Sequence, residues 1–170
     1  MGKDKLRRFR ENLTFDCFVQ PEFDEVFHCD HPLKGRWRSD FFRNDNPIVL
    51  ELGCGKGGFL AQIAPAHPDI NYLGIDITDK VLILAKRKVE AAYAERGIPS
   101  DNVKIASLDI ERLGNAFTPD DRVSRIYINF CNPWSKNAGS NKHRLTHPRQ
   151  LLQYRGLMDE GAEIWFKIDD

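Results

Sequence analysis

The chain has 170 residues, of which 41% are hydrophobic, and its 25 Lys and Arg balance its 25 Asp and Glu to a formal net charge of zero. These values predict one domain with an ordinary core, and they exclude a protein that binds nucleic acid through an overall basic charge. The four cysteines include no C-x-x-C pair, so we expect reduced thiols and no metal site. No apolar run is long enough for a signal peptide or a membrane span, so we expect a cytoplasmic protein.

The first 46 residues are polar, aromatic and irregular, with Pro21, Pro32 and Gly35 as breakers. They predict an N-terminal arm, residues 1–46, that packs through a short helix against a folded domain formed by residues 47–170. The arm begins with a basic cluster: Lys3, Lys5, Arg7, Arg8 and Arg10. Such a cluster can contact phosphates or form a solvated surface, and both interpretations remain open.

The folded domain begins with a strand, a glycine-rich bend and a helix. Residues 48–52 are almost continuously apolar, which is typical of a strand buried in a parallel sheet, and a helix is predicted over 57–66. Three glycines shape the bend: Gly53, Gly55 and Gly57. A phosphate-binding P-loop is excluded because no Lys-Ser or Lys-Thr pair follows, but the G-x-G-x-x-G spacing leaves a dinucleotide such as NAD open.

Two acidic residues favour one ligand over the other. The next predicted strand, 71–76, ends at Asp76, where a carboxylate can accept both hydroxyls of a ribose. Glu51 lies just before the first glycine and suits a ligand with an ammonium group better than one with a pyrophosphate. S-adenosyl-L-methionine fits that charge, and we expect it as the cofactor.

The rest of the domain continues the alternation of helices and strands. A helix is predicted over 79–96, followed by strands at 102–106, 123–130 and 163–168. Asp109, after the first of these strands, is suited to cap a short helix over 110–113. The alternation predicts a parallel sheet with ligands at the carboxyl ends of its strands.

Several specific motifs, in the right order, resemble the bacterial tRNA (guanine-N7-)-methyltransferases. They are Leu33–Trp37, Phe42, Asn44–Pro47, Glu51–Gly57, Pro68–Asp76, Asn132–Trp134 and Phe166–Asp169. The resemblance spans residues 30–170. It implies an α/β, Rossmann-like class I methyltransferase fold with a mostly parallel sheet and helices on both faces, and the methylation of guanine N7 in tRNA with S-adenosyl-L-methionine.

The resemblance also implies roles for individual residues. The methionine end of the cofactor would contact Glu51, its ribose would contact Asp76, and its adenine would lie next to Asp109. Gly53, Gly55 and Gly57 would form the cradle below the cofactor. Asn132 would also contact it. The target base and its nucleotide would face Asn132, the candidate catalytic residue, together with Lys136 and Asp169. Guanine N7 carries a free lone pair and no proton, so the site has to align the reactants rather than supply a general base.

The chain departs from the family pattern in four places. Asn132 stands where the family usually has Asp, so an uncharged amide replaces a carboxylate. Ile168 replaces a threonine, and the basic run after Lys136 is thinned to Lys142, His143, Arg144 and Arg149. The sequence stops at Asp170, after the fifth predicted strand, whereas the family continues through two further strands. We therefore expect a truncated sheet and impaired catalysis.

Two alternatives remain open at this point. The Asn-Pro-Trp segment also resembles the Asn-Pro-Pro-aromatic loop of methyltransferases that act on exocyclic amines of nucleic acids. The second alternative is a catalytically silent tRNA-binding protein, suggested by Asn132 and the early stop. The sequence allows a monomer or a homodimer.

Overall fold

The computed structural model describes Arg7, Glu11, residues 18–19, 29–131 and 138–168. Within these residues, six strands form one sheet in the order β1-β4-β3-β2-β5-β6, and every neighbouring pair is parallel. The strands are β1 (Phe18–Val19), β2 (Ile48–Leu52), β3 (Asn71–Asp76), β4 (Val103–Ser107), β5 (Val123–Asn129) and β6 (Met158–Lys167). The predicted parallel α/β fold is confirmed.

Three α-helices connect these strands: α1 (Gly58–Ile63), α2 (Asp79–Arg96) and α3 (Pro148–Arg155). Shorter helical segments are the π-helix Trp37–Phe42 and the 3-10 helices Ala64–Ala66, Ile110–Asn115, Pro119–Asp121 and Ala138–His143. The predicted helix over 57–66 is therefore divided into α1 and a 3-10 turn, with Pro65 in that turn. The predicted helix over 79–96 has the bounds of α2 and ends at Gly97 in the left-handed conformation.

Three features of the fold were not predicted. The short strand β1 pairs with β4 at one edge of the sheet. Helix α3 begins with a proline at its first turn, and His147 caps it by accepting from the Arg149 amide. Strand β6 begins at Met158 rather than at residue 163, because its first half is joined to β5 through a register shift and contains Gly161 at a φ of +76°.

Two hydrophobic cores cover the two faces of the sheet. On one face, α1 and α2 pack on β2, β3 and β4 through residues such as Leu60, Leu82 and Tyr72. The other face packs against the Trp37–Phe42 segment and α3, with Tyr154 and Leu50 fully buried in that core. All five residues of β2 are buried, which explains why four of them are apolar; the exception is Glu51.

Part of the segment before residue 47 is tied into this second core by Asp121. The Asp121 carboxylate is buried and accepts from the backbone amides of Gly35 at 2.9 Å, Trp37 at 3.1 Å and Thr118 at 2.9 Å. Burial raises the pKa of this carboxyl, while the three amide hydrogen bonds oppose the rise. The Trp37 indole donates to the Ala116 carbonyl at 2.7 Å, so this tryptophan is fully satisfied inside the core.

Candidate functional site

The glycine-rich bend follows β2 at the carboxyl edge of the sheet. Gly53, Gly55 and Gly57 have φ values of +74°, +50° and +68°, a left-handed region that favours glycine. A Cβ on Gly57 would lie 2.8 Å from the Cα of Ala85 on α2, so this glycine also allows the bend to approach that helix. The bend therefore requires glycine for its conformation and, at Gly57, for its close approach to α2.

Asp76 ends β3 and holds the bend in place. Its Oδ2 accepts from the Gly55 amide at 3.1 Å and its Oδ1 accepts from the Thr78 amide at 2.9 Å. The side chain is half-buried, and each carboxylate oxygen keeps a lone pair for a further donor. The predicted ribose ligand is thus also a structural element of the pocket.

Glu51 is buried on β2 with an exposed fraction of 4%. Its Oε1 accepts from the Asn129 side-chain amide at 3.1 Å, whereas its buried Oε2 has no hydrogen-bond partner in the described part of the chain. Burial raises the pKa of the Glu51 carboxyl to about 7; the nearby Asp76 charge acts in the same direction and the Asn129 bond opposes it. A buried oxygen without a partner is rare in proteins and is suited to a ligand that supplies the missing donor.

Asp109 lies at the carboxyl edge beyond β4. Its Oδ1 accepts from the Glu111 amide at 2.9 Å, which confirms the predicted N-cap of a short helix. Its Oδ2 lies 3.4 Å from the Nε of Arg112. The cap role does not exclude a contact with adenine, which stays a prediction.

Two clefts run from the bend along this edge, and they share Gly53 and Phe130. The first has a volume of about 1020 Å³ and extends over α1, β5 and β6; its lining includes Glu51, Gly55, Asn129, Trp165 and Lys167. The second has a volume of about 600 Å³ and its lining includes Asp76, Asp109, Cys131, His143 and Leu145. The structure therefore brings together the cofactor candidates that it describes, with Gly57 supporting the bend from behind.

The remaining candidates lie outside the described residues. These are Asn132, Lys136 and Asp169, so the predicted contacts with the target base stay predictions. Ile168, where the resembled family has a threonine, is 60% exposed just after the end of β6. Because β6 is parallel to β5 and β5 to β2, the end of β6 lies at the same edge of the sheet as the bend.

Sequence reasoning missed Asn129 and Trp165, which line the first cleft. Asn129 is the last residue of β5, and a polar side chain at the carboxyl end of a strand of a parallel sheet was a signal available in the sequence. No comparable signal marked Trp165, because the pattern of β6 does not show which of its faces a helix covers.

In the described part of the chain, no cluster of three or more His, Cys, Asp or Glu side chains could hold a metal ion. None of the helices described is both long and apolar enough to cross a membrane.

The parallel strand order, the glycine bend and the acid that ends β3 define the Rossmann-like class I methyltransferase fold. A solved structure titled "Structure of an Antibiotic Related Methyltransferase" shares this fold, with a TM-score of 0.57, 14% identity, and coverage of 80% of this chain and 64% of that one. Residues 45–170 match the model of the family described as "Putative methyltransferase". The chain belongs to this methyltransferase family.

Curated relatives confirm the resemblance found in the sequence. The tRNA (guanine-N(7)-)-methyltransferase of Ruminiclostridium cellulolyticum is 52% identical over 147 residues, which are 85% of this chain and 61% of that protein. The enzyme of the same name from Clostridium beijerinckii is 54% identical over 137 residues, which are 81% of this chain and 62% of that protein. The chain thus spans about three-fifths of the length of the curated relatives it matches.

Proposed function

We propose that this protein takes part in the S-adenosyl-L-methionine-dependent methylation of guanine N7 in tRNA. The observation that carries the proposal is the pair of acids on either side of the glycine bend, Glu51 with an unpartnered buried oxygen and Asp76 with free lone pairs on both oxygens. Relatives above 50% identity that bear the name of this activity support the same reaction.

The residues present fit this cofactor. When bound, S-adenosyl-L-methionine supplies an electrophilic methyl group on a sulfonium sulfur. Glu51 would hold the ammonium group of the methionine end, the glycine bend would allow the nucleoside to approach the backbone, and Asp76 would accept from the ribose hydroxyls. Asp109, at the far end of the second cleft, would accept from the exocyclic amine of adenine.

On the tRNA side, the chain has to orient a base and hold phosphates. The N7 atom needs no general base, so the task left for Asn132, Lys136 and Asp169 is alignment. The basic residues that follow are partly engaged already: His143 Nδ1 lies 2.5 Å from Glu111 Oε1, and Arg149 donates to Glu111 Oε2 at 2.8 Å. This arrangement leaves fewer cations for phosphates than their number in the sequence indicates.

The experiment is methyl transfer to unmodified tRNA with methyl-labelled S-adenosyl-L-methionine, followed by nucleoside analysis by mass spectrometry. Label in 7-methylguanosine is the expected result. Label in N6-methyladenine would overturn the choice of base in favour of an exocyclic-amine methyltransferase. Binding of tRNA with no transfer, also after Asn132→Asp in a chain extended by the C-terminal part of its relatives, would favour the silent tRNA-binding protein.

The cofactor site has its own test in Asp76→Asn. The amide preserves the size of the side chain but removes the charge and part of its acceptor capacity, so we expect S-adenosyl-L-homocysteine to bind at least about tenfold more weakly, or by roughly 1.5–3 kcal/mol. Calorimetric titration measures this change. The matched control is Asp101→Asn, an exposed aspartate before β4, which should leave affinity unchanged; equal affinities for both variants would remove Asp76 from the site.

A tRNA substrate would place the protein in the cytoplasm, and light scattering during gel filtration distinguishes the monomer from the homodimer.

A further inference from the structure

Glu51 and Asn129 form a polar pair that joins the end of β2 to the end of β5. The Asn129 amide donates to one of the two carboxyl oxygens, and among the residues that the structure describes the other oxygen, buried at the lining of the first cleft, has no hydrogen-bond partner. One neutral donor is a weak compensation for a buried negative charge. In the free protein the carboxyl group therefore keeps a proton near neutral pH, in line with the rise of its pKa to about 7.

The surroundings of Glu51 favour this protonated form. The carboxylate of Asp76 raises the pKa of Glu51 by repulsion. Three other titratable side chains line the same cleft: Cys54 in the bend, Tyr127 on β5 and Lys167 on β6. Burial raises the pKa of the Cys54 thiol, which stays neutral, and Lys167 is exposed, so solvent screens its charge. Helix α1 contributes Phe59 and Gln62, which do not titrate.

We propose that Glu51 and Asn129 form a proton-linked receptor for an ammonium group, in which Asn129 fixes one carboxyl oxygen and the arriving ammonium displaces the proton from the carboxyl. The O–H bond of the carboxyl breaks, its proton leaves to solvent or buffer, and an N–H of the ammonium donates to the carboxylate. The proposal rests on the proposed function, because the ammonium is that of an S-adenosyl amino acid. Asn129 is a positioning residue, since it acts on the ligand through Glu51.

Proton displacement has two measurable consequences. Binding should release close to one proton per site near pH 6 and almost none near pH 8, because a group with a pKa of about 7 changes from about nine-tenths protonated to about one-tenth over that interval. For the same reason the apparent affinity should be about tenfold weaker at pH 6 than at pH 8. A nucleoside without the amino acid group should show neither effect.

The experiment is calorimetric titration with S-adenosyl-L-homocysteine at pH 6, 7 and 8, each in two buffers of different ionisation enthalpy. The difference between buffers counts the protons released. Glu51→Gln should abolish the release, and the matched exposed variant Glu95→Gln on α2, away from both clefts, should preserve it. 5′-Methylthioadenosine, which has the nucleoside but no ammonium, should bind without release. Asn129→Ala removes a hydrogen bond that lowers the pKa of Glu51, so the pH dependence of ligand affinity should shift to higher pH. The affinity of this variant should therefore approach the native value as the pH rises.

Different outcomes overturn the inference and the proposed function separately. Binding of S-adenosyl-L-homocysteine with no proton release, or with the same release in Glu51→Gln, would overturn the receptor and leave the cofactor in place. An Asn129→Ala defect that is equal at every pH would show a structural role only. In the absence of ligand, ¹³C NMR of labelled glutamate carboxyls should show one signal that titrates near pH 7 and is lost in Glu51→Gln; if every glutamate titrates below pH 5, the inference fails even if no ligand binds.

Discussion

Two aromatic clusters among the described residues lie on opposite faces of the sheet, and they are held in different ways. The buried cluster consists of His31, Trp37, Phe41, Phe42 and Phe117, with Trp37 stacked between His31 and Phe117 at centroid distances of 5.1 Å on each side. The open cluster consists of Phe59, Tyr127 and Trp165, with centroid distances of 4.6 and 5.8 Å. The exposed fraction is 0% for Trp37 and 52% for Trp165.

The two tryptophans also differ in their polar partners. The Trp37 indole donates to a buried backbone carbonyl, whereas the Trp165 indole donates to Glu163 at 2.9 Å and lies under the guanidinium of Arg125 at 4.9 Å. Exposed polar contacts of this kind are weakened by solvent. Aromatic residues therefore stabilise the fold on one face of this sheet, whereas on the other they form a wall of the first cleft.

The largest expected effect is that of Trp37→Ala. Removal of a fully buried tryptophan leaves a cavity between His31 and Phe117 and an unpaired carbonyl at Ala116, so the free energy of unfolding should fall by about 3–5 kcal/mol. Urea denaturation followed by circular dichroism measures the change. A fall in the free energy of unfolding of less than about 1 kcal/mol would show that the buried cluster does not hold the Trp37–Phe42 segment on the domain.

The next largest effect is the pH dependence of the free energy of unfolding that His31, in the buried cluster, produces. Burial lowers the pKa of His31 to about 4, and its Nδ1 accepts from the Leu33 amide, which requires the neutral ring. The unfolded state binds a proton below pH 6.5 while the folded state does not, so stability is full above pH 6.5 and falls by roughly 3 kcal/mol as the pH drops to 4.

His31→Asn is the variant that isolates this effect. The asparagine oxygen can accept the same amide but does not titrate, so the pH dependence of the native protein minus that of the variant reports His31 alone. Denaturation midpoints at pH 4.5, 5.5 and 7 provide the measurement. Parallel curves for the two proteins would contradict the assignment of acid sensitivity to His31.

The smallest effect is that of Trp165→Ala, the matched change in the open cluster. Half of this side chain is already in water, so the unfolding free energy should fall by only about 1 kcal/mol or less. The same denaturation experiment applies. A loss as large as that of Trp37→Ala would abolish the contrast between the two clusters.

The elements around the bend were predictable because they are buried on both faces. Strands 48–52 and 71–76 have the predicted bounds, since every residue of the first and nearly every residue of the second is buried, and most of these residues are apolar. The left-handed glycines and the carboxylate of Asp76 followed from the local sequence. The glycine bend and Asp76 could be predicted because a sequence motif records the residues of one chain segment and their spacing.

Contacts between distant segments were not predictable in the same way. Helix α3 was missed because only Gln150 and Tyr154 are buried along it, which is too few for a clear apolar periodicity. Asn129 reaches Glu51 only through the pairing of β5 with β2, which no local motif records. The early start of β6 depends on a bulge and a glycine turned to positive φ, and both are invisible to an alternating pattern.

The contact between Gly57 and Ala85 connects the pocket to a helix that contributes no residue to the lining of either cleft. Position 85 has to stay small because the backbone of the bend rests against it. A bulkier residue there would lift the bend away from the carboxylate that anchors it. The evolution of ligand affinity in this protein is therefore constrained by one alanine on a helix behind the binding site.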